Sequence, residues 1–180
     1  MKFLALLRGI NVGGKNIISK EELRQLFEDL GFESVRTYIQ SGNILFKSGE
    51  KSSKKLAKSI EEELSKRFSY DARSVVLSSN QYQSAVESAS ENWGKNEQQK
   101  HNALFLLGDN TPKKIFKELP LQKPGIETIE LGKNVIFWSV SKESLTKTSY
   151  MKLATLPVYQ EVTIRNHNTV FKLLQLFDEI

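Results

Sequence analysis

The feature that most constrains this chain is a series of strand and helix periods that is run through once and then begun again. Lys2 to Leu7 is a short apolar run, as expected of a buried strand. Ser19 followed three residues later by Glu22 is a capping-box signature. It precedes Leu23, Leu26, Phe27 and Leu30 on one helical face, and Gly31 stands where such a helix stops. Val35 to Gln40 and Asn43 to Lys47 are rich in β-formers and are broken by Ser41-Gly42, which predicts a hairpin. Leu56, Ile60, Leu64 and Phe68 recur every fourth residue and predict a second helix, ahead of a strand over Arg73 to Leu77. The order is β-α-β-β-α-β.

The second half repeats the series. After a bridging helix around Gln81 to Ala89 come a strand at Ala103 to Leu107, a short helix from Pro112 to Leu119, and a hairpin pairing Ile126 to Leu131 with Val135 to Val140. Val35, Thr37, Asn43, Ile44 and Phe46 correspond at a constant offset of 91 to Ile126, Thr128, Asn134, Val135 and Phe137, which predicts an internal duplication. Ala5-Leu6-Leu7 instead aligns with Phe105-Leu106-Leu107 at an offset of 100. The first half therefore carries nine more residues between strand and hairpin (100 less 91), and the loop from Arg8 to Ile18 takes most of them. Val170, Leu173, Leu174 and Phe177 predict a last amphipathic helix, capped by Asn166 or Asn168, whereas Thr146 to Gln160, with Pro157 as a breaker, has no assignable period. The expected division is residues 1–79 and 80–180, with the extra C-terminal helix on the second half.

Composition excludes several chemistries. With no cysteine among 180 residues there is no thiolate nucleophile, zinc–thiolate site or iron–sulfur cluster. No metal site and no cofactor are expected. The opening residues lack the apolar region of a signal peptide, and no apolar run approaches the ~20 residues of a membrane span, so the expectation is a soluble, cytoplasmic protein. The formal net charge is +5, and the excess sits in residues 1–60, with 11 Lys/Arg against 6 Asp/Glu. Such a bias favours anionic partners without naming one. Lys51, Lys54, Lys55 and Lys58 have the spacing of a solvated helical face.

Three constellations could carry function. The first is the loop Arg8-Gly9-Ile10-Asn11-Val12-Gly13-Gly14-Lys15-Asn16. Gly9, four residues, Gly14 and Lys15 match seven positions of the P-loop pattern, in which backbone amides cradle phosphate. Asn16 stands where a magnesium-binding Ser or Thr is required, and the capping box starts the helix at Ser19, so the loop departs from that of a nucleotide triphosphatase. What remains is an anion-binding loop using backbone amides, Arg8 and Lys15, or a turn that merely needs glycine. The second is Arg36 to Asn43, where strand alternation puts Arg36, Tyr38 and Gln40 on one face and Val35, Thr37 and Ile39 on the other. The third is Arg165-Asn166-His167-Asn168-Thr169 at the start of the last helix, suited either to an anion or to capping alone. His101 and His167 have no sequence partner completing a catalytic or metal arrangement, and Trp93 and Trp138 read as core.

At these residues the sequence resembles a bacterial domain-of-unknown-function family, number 1697, whose hallmark Ala-Leu-Leu-Arg-Gly-Ile-Asn-Val-Gly-Gly stands intact at Ala5 to Gly14. Its second motif, Thr-Tyr-Ile-Gln-Ser-Gly-Asn, is intact at Thr37 to Asn43. Its third appears at Thr163 to Thr169 with His167 in place of the family's Trp. The resemblance implies an α+β fold with two ferredoxin-like halves and supplies no activity. It groups Arg8, Asn11, Lys15, Tyr38, Gln40, Asn43, Arg165 and Asn166 around one expected cleft between the halves, with Gly13, Gly14, Arg36 and Ser41 as further ligand-binding candidates. The expected ligand is a small phosphorylated or carboxylated molecule. Alternatives are a nucleic-acid (RNA) binding module, although the signature aromatics of the RNA-recognition fold are missing, and an interaction domain without a ligand.

Overall fold

The computed structural model describes every residue except Val12, Lys15, Gln40 and Ser41. The chain forms two compact units, Met1–Tyr82 together with Leu173–Ile180, and Gln83–Lys172. It is a mixed α and β protein with two four-stranded antiparallel sheets. No helix among the described residues is long and apolar enough to cross a membrane.

The first unit runs β1 (Lys2–Arg8), α1 (Lys20–Asp29), β2 (Glu33–Tyr38), β3 (Asn43–Lys47), α2 (Ser53–Phe68) and β4 (Arg73–Ser78), and leads into α3 (Ser79–Val86). Its sheet order is β2-β3-β1-β4. Both arms of the capping box form. Ser19 Oγ accepts from the Glu22 amide at 3.1 Å, and Glu22 Oε2 accepts from the Ser19 amide at 2.8 Å. These bonds fix the start of α1 at Lys20, past the Gly-rich loop.

One sheet face carries Phe3, Ala5 and Leu7 of β1, Ile44 and Phe46 of β3 and Val76 of β4, packed on Leu23, Leu26 and Phe27 of α1 and Leu56, Ile60 and Leu64 of α2. Leu4, Leu6 and Leu45 alternate with these and are also fully buried. On their face the chain's end returns. Lys2 Nζ donates to the Phe177 carbonyl at 2.7 Å, the Phe177 ring lies 5.9 Å from Tyr82, and Glu179 pairs with Arg36. Burial on both faces explains why β1 reads as an unbroken apolar run. Each fully buried Leu or Phe contributes about 1.5–3 kcal/mol.

The second unit takes in the end of α3 and then runs β5 (Gln99–Leu106), α4 (Pro112–Glu118), β6 (Glu127–Leu131), β7 (Val135–Ser141), 3-10 turns between Leu145 and Glu161, and β8 (Val162–Asn166). Next α5 (His167–Leu176) begins there and ends in the first unit. The sheet order is β6-β7-β5-β8. Leu104, Leu106, Ile136, Trp138, Val140 and Val162 share a core with Ile115, Leu119, Leu153 and Val158.

Three expectations change. No second helix follows the second hairpin. Its place is taken by 3-10 turns, and they lead into β8, which the sequence did not announce. The buried Glu127 carboxylate organises these turns, accepting from the Ser149 amide and Oγ at 3.0 and 2.6 Å and from the Lys123 amide at 2.8 Å. Burial pushes the Glu127 carboxyl up, but the bonds from Ser149, Lys123 and Tyr150 hold it below the ordinary carboxylate value.

Next, the offset of 91 does not extend across the hairpins. The inner strands keep their offsets, since Ala5 lies opposite Ile44 and Phe105 opposite Val135. Thr37 also lies opposite Ile44, but in the second hairpin it is the Gly132 amide that bonds the Val135 carbonyl, while Thr128 lies opposite Ser139. The second hairpin turns tightly at Lys133-Asn134, with Asn134 at φ +59°, whereas in the first β2 ends at Tyr38 and β3 begins at Asn43. The outer strands are thereby shifted.

Finally, the end of the chain belongs with the first unit and not wholly with the second half, because Leu173, Leu176 and Phe177 are apolar and buried there.

Candidate functional site

The site builds outward from the end of β1. Arg8 closes that strand, and Ile10 and Ile18, only 1% and 3% exposed, plug the following loop into the core from either end. Between them the loop is clasped by asparagines. Asn11 Nδ2 donates to the Ile18 carbonyl and Asn11 Oδ1 accepts from the Ile18 amide, both at 2.9 Å. Asn16 Nδ2 donates to the Gly9 carbonyl at 2.8 Å, and the Asn11 amide donates to the Asn16 carbonyl at 3.1 Å. With Asn11 and Asn16 both at positive φ, this closed loop leaves Gly13 and Gly14 exposed at φ +59° and +73°, which side chains with a Cβ rarely adopt.

The first hairpin packs beside this loop. The Leu7 amide donates to the Gly42 carbonyl at 2.8 Å, and a Cβ on Gly42 would stand 2.8 Å from Leu7 Cβ and 2.9 Å from Ile10 Cδ1. Gly42 is therefore fixed by close approach as well as by its φ of +69°. Just before it, Ile39 is held at φ +48° and is 42% exposed, a strained conformation for a β-branched residue, and it ends β2 at Tyr38. Asn43 is 1% exposed and donates through Nδ2 to the Tyr38 carbonyl at 3.1 Å.

Register brings in a residue that sequence reading did not single out. Antiparallel pairing of β1 with β4 sets Arg8 directly opposite Arg73. Directly opposed residues share a face with Cβ atoms about 4.5–5.5 Å apart, and like charges so placed destabilise a sheet. Both arginines are half-buried at the loop end of the sheet. Arg73 was illegible because its meaning comes from pairing with a strand far away in sequence.

The expected site residues therefore fall into groups. Arg8, Gly13 and Gly14 stand at one loop end. The amides of Asn11 and Asn43 bond backbone, so their evident work is to hold shape. Arg36 lies opposite Leu45 and Tyr38 opposite Asn43, on the face where Arg36 meets Glu179. Lys15, Gln40 and Ser41 lie outside the described residues. In the second unit, Arg165 is 7% exposed and donates to Thr163 Oγ1 and the Ile164 carbonyl, both at 2.8 Å. Asn166 Oδ1 accepts from the Thr169 amide at 2.9 Å, so it caps α5. His101 and His167, which lacked any sequence partner, meet each other. Among the described residues no three His, Asp or Glu side chains gather as metal ligands would. What the first unit places at its loop end is a pair of opposed arginines and, in the loop that follows β1, two exposed glycines.

The family described as Protein of unknown function (DUF1697) matches residues 1–137. A solved structure, that of the conserved bacterial protein SP0830 from Streptococcus pneumoniae, is 32% identical over 98% of each chain, with a TM-score of 0.87. No curated protein matches the sequence. The family match and the structural likeness agree, and the chain belongs to the DUF1697 family of proteins of unknown function.

Proposed function

We propose that the protein binds a small anionic ligand, phosphorylated or carboxylated, at the loop end of its first sheet. The observation that carries this reading is Arg8 directly opposite Arg73, at the mouth of a loop whose exposed backbone is Gly13-Gly14. An anion placed between two opposed guanidinium groups gains charge-assisted hydrogen bonds from both. Backbone amides of a glycine-rich turn add donors without adding bulk. The rigid asparagine clasp supports the reading, since a loop already closed loses little entropy when a ligand docks.

The proposal extends to the fold. The two units are copies of one ferredoxin-like unit, a reading supported by their matching sheet orders and by the inner-strand registers.

The test is a thermal-shift panel of inorganic phosphate, sugar phosphates, dicarboxylates and short RNA at low and high salt, run on the unaltered protein and on Arg73→Ala. A ligand at ~100 times its Kd adds about 2.7 kcal/mol, which for a chain of this length is about 5–10 °C. A small-anion shift that disappears in Arg73→Ala is the expected result. No shift with any small anion, or a shift with RNA alone that falls steeply with salt, would overturn the reading.

A further inference from the structure

The chain has two histidines, and the second unit brings them together. Pairing of β5 with β8 sets Asn102 opposite Asn166, so the flanking residues His101 and His167 meet, with ring centroids 5.4 Å apart and planes at 83°. Trp93, from the segment joining α3 to β5, lies 6.2 Å from His101 and 6.3 Å from His167, and rests on Phe137 and Phe171 at 4.8 and 5.6 Å. Trp93 is 4% exposed and His101 2%.

Hydrogen bonds hold the cluster to its neighbours. His101 Nε2 lies 2.9 Å from the Asn96 carbonyl, which can only accept, so Nε2 carries the proton. Nδ1 lies 2.7 Å from the Ser139 hydroxyl, which can donate or accept. His101 thereby ties the Trp93 segment, through Asn96, to β5 and to Ser139 of β7. For His167, burial and then His101 lower the pKa, a hydrogen bond with the His101 backbone opposes them, and Lys142 adds a smaller lowering effect. The charged groups of the surrounding elements are Lys142 after β7, whose Nζ donates to the Glu97 carbonyl at 2.6 Å, the Lys95–Glu91 pair at 3.6 Å on the Trp93 segment, Glu130 of β6, which accepts from Ser90, and Lys172 of α5. Of these, the charge that bears on His167 is the Lys142 ammonium, whose sign resists protonation.

We propose that His101, His167 and Trp93 form an acid-operated latch, in which residues 87–98 are held on the second sheet while the His167 imidazole is neutral and are released when His167 takes up a proton. The closed latch disfavours the imidazolium and so binds fewer protons than the open one. Closure is complete above the ordinary histidine value of about 6.5 and weakens as pH falls from there toward the lowered value in the closed latch.

The experiment is hydrogen exchange by NMR on the intact protein from pH 8 to pH 5, following both His Cε1 protons in the same samples. The reporters are the Trp93 amide, which donates to the Ser90 carbonyl at 3.0 Å, and the Gln99 amide, which donates to the Asn96 carbonyl at 3.0 Å. After correction for intrinsic exchange, opening at Trp93 and Gln99 is expected to rise up to about tenfold per pH unit below about 6.5, with the Leu4 amide in β1 unchanged. His167→Phe, which keeps an aromatic ring in place, is expected to leave Trp93 protected and remove the pH dependence. Flat protection at Trp93 while His167 titrates would overturn the latch. So would loss of protection at Leu4 in step with Trp93, or a pH dependence that survives in His167→Phe.

Discussion

The loops leaving the two inner strands, β1 and β5, hold the same position in their sheets and are built to different ends. Both are closed by asparagine side chains on backbone carbonyls. In the second unit residues 107–111 suffice. Asn110 Nδ2 donates to the Leu107 carbonyl at 2.8 Å and to Glu161 Oε2 at 2.9 Å, while its Oδ1 accepts from Lys114 Nζ at 2.8 Å. One asparagine closes that turn. In the first unit residues 9–19 make the same connection with Gly13 and Gly14 exposed, and Arg8, which precedes them, lies opposite Arg73. Continuing the β5–β8 register two residues past Leu106 and Val162 leads to Gly108 and Gln160, neither of which is charged. A strand-to-helix connection in this scaffold therefore forms without the extra length and without an arginine pair.

The sharpest way to probe that contrast is Gly42→Ala. It forces a Cβ against Leu7 and Ile10 at positive φ, and is expected to cost about 3 kcal/mol in urea denaturation. Asn134→Gly, in the tight turn of the other hairpin, is expected to change stability by under about 1 kcal/mol. Equal effects would break the claim that the first hairpin is locked to its loop. Next in size is the clasp. Asn11→Ala leaves both the Ile18 amide and carbonyl without their partner and is expected to cost about 2–3 kcal/mol, against about 1 for Asn110→Ala.

A third effect separates the units by pH. The Glu127 carboxyl sits below its ordinary 4.5, so its contribution is present above that value and is lost as pH falls through the lowered one. Glu127→Gln is expected to flatten the loss of stability between about pH 5 and 3 in the second unit, read by hydrogen exchange at β6 and β7. A slope unchanged in the variant would contradict this. The smallest effect expected is Arg36→Ala. Its partner Glu179 and the arginine itself are each over 40% exposed, so the loss is under about 1 kcal/mol by denaturation.

Much of this architecture could be read from the sequence because the signals are local. The capping box at Ser19, the fourfold spacing of Leu56 to Phe68, and Ser41-Gly42 between β-rich runs each specify a structure within a dozen residues. β8 was hidden because the segment before it is held by Glu127 reaching from β6, and its Thr, Ser and Tyr residues keep no period. Asn11 was visible as part of a polar loop, but its clasp on Ile18 needed the loop's closed path. Arg73 and the pairing of His101 with His167 depend on which strands lie side by side, and register between distant strands leaves no local trace. The displaced outer strand β6 shows the same limit, because the length of a turn moved it by four residues without altering the alternation that had suggested the alignment.

The most direct test of the anion site is phosphorus NMR of inorganic phosphate titrated with the unaltered protein, Arg8→Gln and Arg73→Gln at physiological salt. Saturable broadening or shift of the phosphate signal with the unaltered protein, lost in both variants while each stays folded, is the result this account predicts. A phosphate signal untouched by the protein, or one perturbed equally by all three, would contradict it.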